Sequence, residues 1–161
     1  MNAELTESAV SSMVAHVAEY GITGVESGGF LLAPAGATVE VVALAGSAQA
    51  GIVRRPEQLI ISGAAIEVLC EWADDAGLRI VAQFHSHRRG TSLSPIDKVG
   101  GMRVQEFVSI VIPRFANPET DASSWGWWHF DSRTWRTRAA FDVVTGRTRT
   151  IVFDEGGVHD Q

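Results

Sequence analysis

Two histidines one residue apart, His85 and His87, close an apolar run, Arg79 to Phe84, that reads as a short buried β-strand. On an extended chain residues i and i+2 point to the same side, so a single metal ion can accept a nitrogen from each ring. A third ligand must come from elsewhere, and Asp97 is the single carboxylate between Arg88 and Gln105. Three protein ligands and one open position describe a catalytic zinc, because the open position holds the water that becomes the nucleophile. That water needs a base. Glu26 is the candidate, placed just before Gly28-Gly29, where missing side chains let other backbone come close. Taken singly, each feature has an ordinary explanation: a chance histidine pair, a helix capping box at Ser94-Pro95-Ile96-Asp97, a solvated loop acid. Their conjunction in one chain is what chance does not readily supply.

The elements that must position these groups follow from pattern. Thr6-Glu7-Ser8 opens a helix over about 6–20, with Ala9, Val10, Met13, Val14 and Val17 at helical spacing and Gly21 as its left-handed end. Residues 28–33 and 38–44 read as a hairpin of two strands, and 46–56 as a loop. A brief strand is expected over 58–62 and a second helix over 63–75, with Ile66, Leu69, Cys70 and Ala73 on one face. Ser94 carries the marks of an N-cap, with Pro95 first in the helix and Asp97 third, and Gly100-Gly101 keeps that helix short. Residues 107–112 are the most β-prone run. Two antiparallel strands are expected over 124–130 and 134–144 around a turn at 131–133, then a last strand over 148–153. The expected architecture is mixed α/β, with a largely antiparallel sheet flanked by helices. The chain, 1–161, is expected to be a single domain with its core over about 5–153 and a frayed tail over 154–161.

Composition removes several classes of function. With 161 residues and 45% hydrophobic content the chain can bury a real core. Thirteen basic residues against 19 acidic give a net charge of −6, which repels a phosphate backbone, so no nucleic acid partner is expected. Cys70 is the only cysteine, which excludes an intrachain disulfide and a zinc site built of several thiolates. The start, Met1-Asn2-Ala3-Glu4-Leu5-Thr6-Glu7, has neither a basic nor an apolar segment, and no run is long enough to span a bilayer, so a cytoplasmic protein without membrane contact is expected.

Three stretches together carry a resemblance: Glu26-Ser27-Gly28-Gly29-Phe30-Leu31-Leu32, Phe84-His85-Ser86-His87, and Ser94-Pro95-Ile96-Asp97. They resemble the JAMM signature of the MPN-domain metalloproteases, in particular the short prokaryotic JAB type, and the likeness extends over roughly residues 5–140. It implies that His85, His87 and Asp97 ligate Zn2+, that Glu26 is the general base and that Ser94 steadies the oxyanion. It also implies the fold shared with cytidine deaminases. Deaminase chemistry itself is disfavoured, since Pro-Cys-x-x-Cys is absent. The implied reaction is hydrolysis of an amide or isopeptide bond at the Gly-Gly C-terminus of a ubiquitin-like or sulfur-carrier protein. Rival readings are a non-catalytic MPN scaffold, a ubiquitin-like-binding module, and a zinc hydrolase releasing an amino acid from a carrier protein. Two departures stand out. Six residues separate His87 from Ser94, one fewer than the family usually has, and Arg88 replaces a proline.

Elsewhere the ordinary reading is preferred. Arg54, Arg55, Arg88 and Arg89 read as solvated surface. Trp125, Trp127, Trp128 and Trp135 read as one hairpin packing an aromatic face on the core. His16, His129 and His159 read as structural or exposed, and Cys70 as a buried small apolar group.

Overall fold

The computed structural model describes residues 3–36 and 39–161. In chain order the first elements are β1 (Ala3–Thr6), α1 (Glu7–Gly21), β2 (Gly28–Pro34), β3 (Val39–Glu40) and β4 (Ala43–Ser47). A small hairpin follows, β5 (Ile52–Arg55) and β6 (Gln58–Ile61), then α2 (Gly63–Asp75), β7 (Leu78–Ser86) and the short α3 (Pro95–Gly100). The rest is strand: β8 (Val108–Ile112), β9 (Gly126–Asp131), β10 (Thr134–Thr137), β11 (Asp142–Val144), β12 (Arg149–Asp154) and β13 (Gly157–Asp160).

The principal sheet has eight strands in the order β10-β9-β8-β7-β2-β4-β12-β13. Its β7–β8 and β4–β12 pairings are parallel and the others antiparallel, so the sheet is mixed and mostly antiparallel as expected. Side-chain alternation gives each face its own core. Leu31, Leu44 and Phe84 meet Val10, Met13 and Val17 of α1 on one face. Phe30, Leu32, Ala45, Ile151 and Phe153 meet Ala65, Leu69 and Ala73 of α2 on the other. Each fully buried large side chain of this kind is worth about 1.5–3 kcal/mol. The two helices are fixed locally: Thr6 Oγ1 accepts from the Ala9 N–H and Ser62 Oγ from the Ala65 N–H, both at 3.1 Å.

Several expectations are corrected. The second strand of the expected hairpin is split. Thr38, its first residue, lies outside the described residues, as do Met1 and Asn2 of the N-terminal reading. Val39–Glu40 pairs with β1 in a separate three-stranded sheet, and Ala43–Ser47 pairs with β2. The segment read as a loop over 46–56 ends one strand and supplies β5. Residues 134–144 are not one strand. β10 ends at Thr137, and the chain then buries Phe141 with its ring 5.0 Å from that of Trp127 and enters β11, parallel to β1. Residues 154–161 are no frayed tail: β13 folds back on β12 through Glu155-Gly156, and Arg149 grips Asp160 through both carboxylate oxygens at 2.9 and 3.1 Å. Gly21 is still helical, and the left-handed turn falls at Gly24. Cys70 is exposed, because the buried face of α2 runs through Ala65, Leu69 and Ala73. No described helix is long and apolar enough to cross a membrane.

Candidate metal centre

β2 and β7 lie side by side in the middle of the principal sheet, with Gly28 opposite His85 and Gly29 opposite Phe84. A Cβ on Gly28 would run into the Phe84 carbonyl, so β2, which Glu26 precedes, closes on the histidine strand only because that position is glycine. His85 is still in the strand, and His87 follows its end. The His87 N–H donates to the Ile112 carbonyl at 2.9 Å, and the His87 carbonyl accepts from the Phe115 N–H at 3.0 Å. Both rings therefore stand on backbone fixed by neighbouring strands.

Asp97 comes from the other side. α3 begins with a capping box: Ser94 Oγ accepts from the Asp97 N–H at 3.1 Å, and Asp97 Oδ2 accepts from the Ser94 N–H at 2.8 Å. The same Oδ2 lies 3.2 Å from His85 Nε2 and 3.0 Å from His87 Nε2, and the two Nε2 atoms are 3.1 Å apart. The capping box and a ligand role are thus not alternatives, because the cap is what aims the carboxylate at the rings.

Three donor atoms stand at the corners of a nearly equilateral triangle. Ligands bound tetrahedrally to zinc at about 2.0–2.1 Å lie about 3.3 Å apart, so this triangle fits one face of such a site. Glu26 is nearly fully buried, and its oxygen and the two histidine nitrogens all lie within 4.8 Å of one another. Glu26 Oε1 is buried without a hydrogen-bond partner among the described residues. A buried carboxylate oxygen left unpaired beside three converging lone-pair atoms suits a centre that receives a cation and a polar ligand.

The electrostatics agree. Burial pushes the Glu26 carboxyl up to about 8; the charge of His87 opposes this, while Asp97 and Glu57 add to it. Burial also works against an ionised Asp97, but hydrogen bonds from His85, His87 and the Ser94 backbone outweigh it and hold this carboxyl well below its usual range. For His87, burial favours the neutral ring, yet the bond to Asp97 and the charges of Glu26 and Asp97 carry the net effect upward. Neighbouring carboxylates in such different environments divide naturally into a permanent anion and a proton carrier.

All five expected site residues meet here: Glu26, His87 and Ser94 line one depression, and His85 and Asp97 an adjoining cavity walled by Gln58 to Ile61 and Ile96. The loop 88–93 turns at Gly90, at φ 70°, and is held by Trp128, whose Nε1–H donates to the Thr91 carbonyl at 2.9 Å. Trp135 likewise donates to the Lys98 carbonyl at 3.1 Å. The expected packing of the aromatic hairpin holds for Trp125 and Trp127, while Trp128 and Trp135 also pin the site loop and α3. Arg88 and Arg89 are exposed as expected. Arg54 is not simply solvated: it stacks 3.7 Å over the Tyr20 ring and donates to Ser27 and Ser47. His16 is buried against Ser27. No local signal marked this network, which joins α1, β2, β4 and β5 across long stretches of chain.

No protein-family model matches the chain, and no curated protein matches it. Solved structures do. A protein of Desulfitobacterium hafniense superposes with TM-score 0.62 at 14% identity, over 90% of this chain and 93% of the other. One of Salinibacter ruber gives TM-score 0.60 at 19% identity, over 88% and 91%. A JAB1/MPN domain protein of Archaeoglobus fulgidus matches more loosely, with TM-score 0.48 at 14% identity, over 89% and 96%. At such identities the first two likenesses establish a shared mixed α/β fold and leave the chemistry to be argued from the site.

Proposed function

We propose that this chain is a zinc-dependent hydrolase of the JAB/MPN type, cutting an amide or isopeptide bond at the Gly-Gly C-terminus of a ubiquitin-like or sulfur-carrier protein in the cytoplasm. The observation that carries the reading is the triangle of His85 Nε2, His87 Nε2 and Asp97 Oδ2, with sides of 3.0 to 3.2 Å, beside the unpaired Glu26 oxygen. In this reading the two histidines and Asp97 hold zinc. When bound, the ion supplies Lewis acidity and lowers the pKa of its water from about 15.7 to about 7.

The remaining roles belong to the chain's own residues. Glu26 takes the proton of the attacking water and passes it to the leaving nitrogen. Asp97 is the closer carboxylate to the rings and is already committed to them, which leaves Glu26, standing off within 4.8 Å, as the base. Ser94 Oγ accepts from the Asp97 N–H, and its own proton has no acceptor among the described residues, so it is free to donate to the developing oxyanion. One such donor is worth about 3 kcal/mol. Glu26 lines the depression beside Arg88 and Arg89, so the leaving amine faces that side and the acyl chain takes the cavity beside Gln58 to Ile61. β5 and β6 form a sheet of their own that pairs with no further strand among the described residues, and a thin Gly-Gly tail can add to the β6 edge as a strand.

The test combines metal analysis with cleavage of a Gly-Gly-linked fusion. The expected result is near-stoichiometric zinc and chelator-sensitive cleavage, with E26Q keeping zinc and losing about 10²–10⁴-fold in rate. Protein that binds no zinc and cuts nothing would favour the scaffold instead.

A further inference from the structure

We propose that Arg54 is a positioning residue for Glu26: from β5 it grips the Ser27 hydroxyl and so fixes the backbone that aims the carboxylate. The inference rests on Glu26 being the base. It begins from the side chain itself. Glu26 Oε1 has no hydrogen-bond partner among the described residues, so no bond at that oxygen holds the carboxylate, and its direction depends on the backbone that carries it.

That backbone is clamped from two sides. On the β7 side the Ser27 N–H donates to Ser86 Oγ at 3.0 Å, and the Ser27 carbonyl accepts from the Ser86 N–H at 2.9 Å. Ser86 lies between the two histidines, so this clamp ties the base to the rings. On the β5 side the Glu26 N–H donates to the Arg55 carbonyl at 2.9 Å, and Arg54 Nε–H donates to Ser27 Oγ at 3.0 Å. An arginine only donates, so Ser27 Oγ accepts from it and has its own proton to give to His16 Nε2, 2.9 Å away. The other arm of Arg54 reaches the Ser47 carbonyl at 2.6 Å and Ser47 Oγ at 3.0 Å, and Ser47 Oγ donates to the Gly28 carbonyl at 2.6 Å. One guanidinium therefore holds Ser27, just before β2, and Ser47, at the end of β4. The planar fork of donors makes that possible where a lysine would reach only one acceptor well.

Stability alone does not account for this arrangement. Arg54 is partly buried, and its hydrogen bonds to described residues go to hydroxyls and a carbonyl, not to a carboxylate. Burial pulls its pKa down, a sign that the cation is held at a cost. A long apolar side chain over the Tyr20 ring would avoid that cost. What an apolar residue cannot do is hold Ser27 and Ser47 in register. The hairpin that walls the acyl cavity and the segment that carries the base are thereby coupled through this side chain as well as through the Glu26 N–H bond to the Arg55 carbonyl.

The test uses full-length zinc-loaded protein, the Gly-Gly-linked fusion, and the variants R54M, S27A and their double, with R54K as the conservative arm. Expected are a kcat about 10- to 100-fold lower in R54M with zinc content unchanged, partial recovery in R54K, and a double variant no worse than the poorer single. A merely structural Arg54 would lower the melting temperature and leave kcat within about twofold well below it. That result, or losses that multiply in the double variant, overturns the proposal. Amide exchange decides independently of turnover: R54M should lose protection at Glu26 and Ser27 while β8 keeps it, and unchanged protection there overturns the inference. A parent protein that cuts nothing overturns the hydrolase reading instead, and the exchange result still stands or falls by itself.

Discussion

The two halves of the site are built in opposite ways. Glu26, His85 and His87 stand on or beside central strands, where Ser27 and Ser86 are fully buried and bonded to each other. Asp97 and Ser94 stand on a six-residue helix with no buried residue, whose Ile96 and Val99 are 52% and 70% exposed. One half is held by the core. The other is held by a capping box, two tryptophan N–H bonds and its own contact with the histidines. If zinc binds as proposed, Asp97, carried on so lightly packed an element, would gain its order from the ion, whereas the strand half is pre-formed.

Breaking the weaker half should therefore have the largest effect. D97A should cost more in zinc affinity than the about 10- to 100-fold typical of an outer partner, and abolish cleavage, while leaving the circular dichroism of the sheet unchanged; metal titration and spectra read both. A D97A protein that still binds zinc tightly would transfer the third ligand to Glu26, which the spacing within 4.8 Å also permits.

Ser94 sharpens the contrast because it serves as cap and, in the proposed mechanism, as donor. S94A should lose about 10²–10³-fold in kcat and about 1 kcal/mol of stability. S94D keeps a capping oxygen without a hydroxyl proton, so it should recover the stability and not the rate. Equal recovery of both would make Ser94 a cap only.

The strand half has its own signature in acid. Burial, then the charge of Arg54, lowers the His16 pKa from 6.5 to about 4, against a smaller opposing effect of the Gly28 backbone. Between those values the unfolded chain binds more protons than the folded one, so stability is full above about 6.5 and falls as pH drops towards 4. The loss amounts to about 3 kcal/mol. Urea midpoints across that window measure it, and H16Q should flatten the slope. The smallest effect is expected at the loop: W128F removes the N–H bond to Thr91 and should cost about 1 kcal/mol, with zinc affinity falling before sheet stability.

Much of this was legible because it is local. Thr6, Ser62 and Ser94 cap their helices through atoms three residues away, and the alternation that puts His85 and His87 on one side is a property of any extended chain. The capping box aims Asp97 within four residues of sequence. Glu26 was legible only as a candidate beside two glycines. Its partnership with β7 depends on a pairing between residues almost sixty positions apart, with Ser27 bonded to Ser86.

What the amino-acid order determined by itself was the set of short-range devices: helix caps, the histidine spacing, the breaks at glycine, and a net charge of −6. Only the tertiary structure decided that residues 39–40 and 43–47 serve different sheets, that the last residues add an edge strand, and that Arg54 and His16 converge behind Glu26. The reason is physical. A cap or an alternation is settled by torsions and bonds within one turn, while a strand's partner or a buried arginine's acceptors are chosen by competition among distant segments, which no single stretch of chain encodes.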